Sequence, residues 1–215
     1  MTTPSYAMAY FSTDNARDLN HWKAMKGGSV AAFEQLYDHY FPLLFAYGMQ
    51  FCTDRALVKD CLQDFFVDLY QGRSSLNEVH KVRQYLFVSF RHYILRKLSA
   101  KHFLMESIAD NYHFEVYFSR EEEIVGEQFD EYRRKVLKSS FARLSSRQKE
   151  AVFLRFYENM SYTEIAEILN LKEVKYARTL VYRALLVLKE ALKGHSLTLY
   201  SAFPFFNLLI KQGSR

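Results

Sequence analysis

Along most of this chain apolar residues return every three or four positions, the spacing of helices that bury one face. Between Leu19 and about Leu98 few breakers follow Gly27-Gly28, and two apolar stripes stand out. Phe33, Leu36, Tyr37 and Tyr40 share one helical face, and Leu57, Cys61, Leu62, Phe65 and Leu69 share another. A bundle of three or four helices is predicted. Thr53 or Asp54 is placed to cap the helix that ends near Tyr70, and Gln71 to Ser75 reads as a loop before a helix from about Val79 to Leu98. From Ser99 to Gln128 the periodicity fades and an acidic run, Glu121-Glu122-Glu123, appears; from Tyr132 to Leu192 it resumes. The expected fold is therefore all-α: two small helical domains, at 18–98 and 129–193, joined by a linker at 99–128 and followed by a C-terminal extension at 194–215.

The second periodic stretch carries its own punctuation. Ser145-Ser146-Arg147-Gln148 has the S-x-x-Q form of a capping box, and Ser161-Tyr162-Thr163-Glu164 repeats it as S-x-x-E. One helix should run from there to Phe156, and a shorter one should begin at Tyr162 and bury Ile165, Ala166 and Leu169. Asn170-Leu171 then makes a tight turn, because Asn tolerates left-handed dihedrals. A further helix from about Lys172 has Val174, Ala177, Val181, Ala184, Leu185 and Leu188 as its buried stripe. Two capped helices joined by such a turn form a helix-turn-helix, whose second helix enters a DNA major groove. Lys172, Glu173, Lys175, Tyr176 and Thr179 are the candidates for base edges, and Arg178, Tyr182 and Arg183 for phosphates.

Charge sharpens this picture by its distribution. The 215 residues hold 29 Lys+Arg against 24 Asp+Glu, a modest excess. Between Lys81 and Lys101, however, there are six basic side chains and no acidic one, interleaved with Tyr85, Phe87, Phe90 and Tyr93. Cations meet phosphates and rings stack on unpaired bases, so this helix suits a nucleic-acid strand. A solvated helix face with its rings packed in the bundle is the alternative for that segment taken alone. Between Tyr132 and Leu192 basic residues outnumber acidic ones by more than two to one. The two cysteines, Cys52 and Cys61, form no C-x-x-C and have no His at zinc-ligand spacing, so neither a disulfide framework nor a metal or other cofactor is expected. No signal peptide or membrane span is legible, which points to the cytoplasm.

At the level of motifs the chain resembles the extracytoplasmic-function (ECF) class of sigma-70 family factors. The strongest match runs through Leu144-Ser145-Ser146-Arg147-Gln148-Lys149-Glu150, Leu154 to Leu169 and Tyr182-Arg183-Ala184-Leu185. Phe33 to Tyr37 and Asp60 to Tyr70 are similar to the family's polymerase-binding helices, and Tyr85 to His92 to its promoter-melting helix. Phe90 and His92 replace that helix's usual Ala and Asn. The turn at Asn170 to Glu173 is one residue longer than usual and lacks a Ser or Thr cap.

The resemblance implies a non-enzymatic transcription initiation factor. Its front domain would bind the clamp coiled coil of core RNA polymerase through Asp60, Gln63, Asp64 and an exposed Phe66. It would read and melt the −10 element with Arg73, Lys81, Arg83, Tyr85, Arg91, His92, Arg96 and Lys97. The back domain would read the −35 element and meet the polymerase flap. Promoter DNA and an anti-sigma factor complete the implied partners, with no small-molecule substrate. The competing reading is a helix-turn-helix regulator whose front bundle senses a ligand or dimerises; an enzyme finds no catalytic motif.

Overall fold

The computed structural model describes residues 15–102, 112–116 and 131–193, and the extension 194–215 lies outside them. All regular structure among the described residues is helical. The chain divides into two units, Met1–Phe114 and Glu115–Arg215.

In the first unit α1 (Asn15–Lys26) ends at Gly27-Gly28, where Gly28 takes a φ of 97° that a side chain would resist. Ser29 then caps α2 (Val30–Gly48) by accepting from the Ala32 amide. Leu36, Tyr40, Leu44 and Tyr47 line its buried face. Of the two expected caps for α3 (Arg55–Gln71), Asp54 does the work, accepting from the Leu57 amide at 3.1 Å. Arg73–Ser75 forms a 3-10 turn within the expected loop. The next helix, α4 (Val82–His102), starts three residues later than the sequence implied and runs past Leu98.

Rings dominate this core. Phe65 meets Phe90 and Tyr93 edge to face, and Tyr47 packs on Phe51 and Phe87. Gly48 lets α2, α3 and α4 converge: a Cβ there would lie 2.7 Å from Val58 Cγ1 and 3.2 Å from the Phe90 ring. Phe114, in the stretch read as linker, is fully buried against Phe51 and Tyr47 and so belongs to this core.

The second unit contains α5 (Glu131–Phe141), α6 (Ser146–Phe156), α7 (Tyr162–Ile168) and α8 (Val174–Ala191). α8 packs on α5, α6 and α7. Ala177, Val181, Ala184, Leu185 and Leu188 form its buried stripe as read from the sequence, with Val174 only half-buried. Glu115 pairs with the buried ammonium of Lys149 in the same unit.

Candidate nucleic-acid and polymerase interfaces

The geometry of the second unit follows from short-range chemistry. Both capping boxes form: the Gln148 amide donates to Ser145 Oγ at 3.3 Å while the Ser145 amide donates to Gln148 Oε1 at 2.9 Å. The Ser161 and Glu164 pair repeats the exchange at 3.3 and 2.9 Å. These bonds satisfy amides that a helix start leaves without partners. α7 ends at Leu169, and Asn170 takes a φ of 50°, the left-handed turn expected of it. The Leu171 amide then returns to the Ala166 carbonyl at 2.7 Å.

The longer turn shifts the start of the next helix. Glu173 is the N-cap of α8, its side chain makes no capping bond, and Val174 is the first helical residue, so Lys172 precedes the helix rather than opening it. Glu173 instead pairs with Lys175 at 2.8 Å.

All eight side chains assigned to DNA here are exposed: Lys172, Glu173, Lys175, Tyr176, Arg178, Thr179, Tyr182 and Arg183. Tyr176 and Tyr182 are 45% and 60% exposed, which leaves both rings open to a partner. The Thr179 hydroxyl donates to the Lys175 carbonyl, so it presents mainly its methyl group outward. Tyr162, absent from the sequence-derived set, lies beside it: the guanidinium groups of Arg155 and Arg178 are 5.3 and 5.8 Å from its ring.

In the first unit Asp60, Gln63 and Asp64 form an exposed row on α3. Phe66 does not stand beside it. It is 1% exposed, packed against the rings of Phe33, Tyr37 and Phe65, because α3 buries both members of the Phe65-Phe66 pair in a wide stripe. The apolar side chain next to the acidic row is Val67, 51% exposed.

The basic helix α4 also divides. Lys81, just before it, and His92, Arg96 and Lys97 are exposed, while Arg83 and Tyr85 are half-buried, Arg83 over Phe87 and Tyr85 against Trp22. Arg91 is 4% exposed, its guanidinium over the Tyr112 ring, and so cannot serve as the open phosphate contact expected of it. Arg73 folds back onto Tyr70, donating to its carbonyl at 2.8 Å. Partial burial, and then the Arg91 charge, hold His92 below the ordinary imidazole range, so near pH 7 it is a neutral donor and acceptor rather than a cation. Lys97 donates to Asp64 at 3.1 Å, joining the basic helix to the acidic row. No group of His, Cys, Asp or Glu able to hold a metal ion occurs among the described residues, and both thiols are free.

An all-α protein with a capped helix-turn-helix whose second helix turns a polar, largely basic face outward belongs to the DNA-binding transcription factors. Residues 36–103 match the model of sigma-70 region 2 and residues 134–188 that of sigma-70 region 4, and together they span more than half the chain. The chain belongs to the sigma-70 family and, with regions 2 and 4 matched on either side of residues 104–133, to its ECF class: it is a sigma factor, a transcription initiation factor.

Several solved structures match this chain, two of them sharing the fold over most of its length. CnrH, in complex with the cytosolic domain of CnrY, is 23% identical with a TM-score of 0.56, covering 84% of this chain and 99% of its own. The sigma factor RpoE of Bartonella quintana, in complex with the anti-sigma factor NepR, is 22% identical with a TM-score of 0.52, covering 78% and 100%. No curated protein is a significant match. Among the described residues no helix is long and apolar enough to cross a membrane.

Proposed function

We propose that this sigma factor grips core RNA polymerase through the α3 row of Asp60, Gln63 and Asp64, and grips a promoter at two points. Residues 18–98 act as the −10 domain and 129–193 as the −35 domain, with 99–128 between them and 194–215 as an extension. α4, led by Lys81, Tyr85, Arg96 and Lys97, meets the −10 element and the strand exposed on melting. α8 reads the −35 element, with Lys175 and Tyr176 nearest the base edges and Arg178, Tyr182 and Arg183 on phosphates.

The observation that carries this reading is the division of α8 into a buried apolar stripe and an opposite face whose six DNA-assigned side chains, Lys175, Tyr176, Arg178, Thr179, Tyr182 and Arg183, are all exposed. Such a face costs solvation and rotamer freedom to bury, and cationic and aromatic groups repay that against a phosphate-lined groove. An anti-sigma partner is part of the proposal, supported by the inhibitor-type complex in which the similarly folded RpoE was solved. Action in the cytoplasm, without catalysis by the chain itself, completes it.

In vitro transcription with bacterial core polymerase tests the proposal. Addition of the protein should start transcripts at a discrete promoter set, and a gel shift should require core polymerase. Lys175→Ala should lose about 1–3 kcal/mol at one −35 position. Failure to direct core polymerase anywhere, or a palindromic footprint by the protein alone, would replace this reading with that of a conventional regulator.

A further inference from the structure

We infer that Arg147, in the first turn of α6, is a positioning residue for promoter reading: it locks the turn that aims α8. Its Nη2 donates to the Leu169 carbonyl at 2.9 Å, across 22 residues of chain. Leu169 closes α7, where carbonyls have lost their helical partners and carry the negative end of the helix dipole, so a guanidinium there is both donor and counter-charge. The side chain is half-buried, which shields the bond from part of the competition with water.

A second arginine on the same helix makes the matching contact at the other end. Arg155 Nη1 donates to the Met160 carbonyl at 3.0 Å, just before the Ser161 cap. The two arginines stand about two turns apart, roughly 12 Å along α6, and α7 with its 7 residues is about 10 Å long. α6 thus holds α7 at entry and exit.

The exit needs this more than the entry does. At the entry, the Ser161 and Glu164 box already fixes the chain. At the exit, the turn carries a left-handed Asn170, and the Glu173 N-cap of α8 contributes no side-chain bond, so the lock that Ser161 gives α7 has no counterpart on α8. Base readout depends on donors held within a few tenths of an ångström of base edges. Play in residues 169–173 is transmitted to Lys175 and Tyr176 before any other part of α8.

The inference rests on the reading of α8 proposed above, and the test separates the two. The full-length chain and its Arg147→Ala and Arg147→Lys variants are assayed with core polymerase on a promoter pool randomised in the upstream element, with transcripts counted by sequence. Arg147→Ala should lower discrimination between preferred and disfavoured upstream bases by about tenfold, the scale of one charged hydrogen bond, and Arg147→Lys should retain part of it. Amide exchange at Leu171 should accelerate in the alanine variant while the α6 amides stay protected, and the salt dependence should keep its slope.

Unchanged discrimination would overturn the inference. A uniform loss over all sequences with a salt slope smaller by about one would make Arg147 a phosphate contact instead. A uniform loss tracking a lowered melting midpoint would make it merely structural. A flat profile from the unmodified protein would overturn the reading of α8 itself, and the inference with it.

Discussion

Tyr40 donates its phenolic hydrogen to the Asp18 carboxylate at 2.5 Å, tying α2 to α1 with both side chains buried. A buried carboxylate stripped of its donor keeps its desolvation cost, so Tyr40→Phe should destabilise the first unit by about 2–3 kcal/mol. Denaturant midpoints of the two proteins at neutral pH measure this.

Buried titratable groups of the first unit set a pH window. Burial, and then the Asp18 bond, push the Tyr40 phenol far above its ordinary value, and burial also raises the Cys61 thiol. A raised value in the folded state means stability that is complete below the unfolded value and lost above it. The loss should begin near pH 9, where an ordinary thiol titrates, and deepen past 10, where a phenol does. His39 is shifted the other way: burial lowers it, Asp18 opposes, and Arg17 and Arg83 add to the lowering. Its contribution is complete above 6.5 and lost as the pH falls. Melting midpoints should therefore plateau between those limits, and Tyr40→Phe should soften the alkaline edge.

Gly48 offers a steric test. The Val58 methyl that would lie 2.7 Å from an added Cβ belongs to a packed β-branched side chain that cannot swing away freely. Gly48→Ala should cost about 1–3 kcal/mol despite the better helix propensity of alanine. Neutral or increased stability by chemical denaturation would show that the three helices part more easily than their packing implies.

Phe66 and Asp64 separate folding from binding. Phe66→Ala should destabilise by about 3–5 kcal/mol, while Asp64→Asn, on an exposed side chain, should change stability by no more than about 0.5 kcal/mol. Binding to immobilised core polymerase, measured where both variants remain folded, should be weakened by Asp64→Asn and hardly touched by Phe66→Ala. The reverse pattern would return Phe66 to the contact surface.

At Asn170 the backbone itself is the variable. Its φ of 50° costs an alanine about 1–2 kcal/mol and a glycine little, so Asn170→Ala should lower the melting midpoint of the second unit and Asn170→Gly should not.

The parts of this molecule that could be read in advance are those set by neighbours in sequence. Ser145 with Gln148, Ser161 with Glu164 and the left-handed Asn170 act over three or four residues, so both capping boxes and the turn were legible in advance, while the start of α8 was read two residues early. Phe66 and Arg91 were misplaced because their burial depends on what the bundle brings against them. α4 is apolar around much of its circumference, with Leu86, Phe87, Phe90, Tyr93, Ile94 and Leu95 all buried, so periodicity does not say which side faces water. Arg91 is drawn inward by Tyr112, and Phe114 joins the same core, from a stretch whose own pattern carries no helical period. The bond from Arg147 to Leu169 joins residues 22 apart in the chain and leaves no local signature.

The bond between Lys97 and Asp64 has a consequence for genetics. One residue stands on the surface assigned to DNA and the other on the surface assigned to polymerase, so a lesion at either changes the electrostatic surroundings of both. Phenotypes at these two positions will be epistatic, and a defect mapped to one activity by single substitutions can originate in the other.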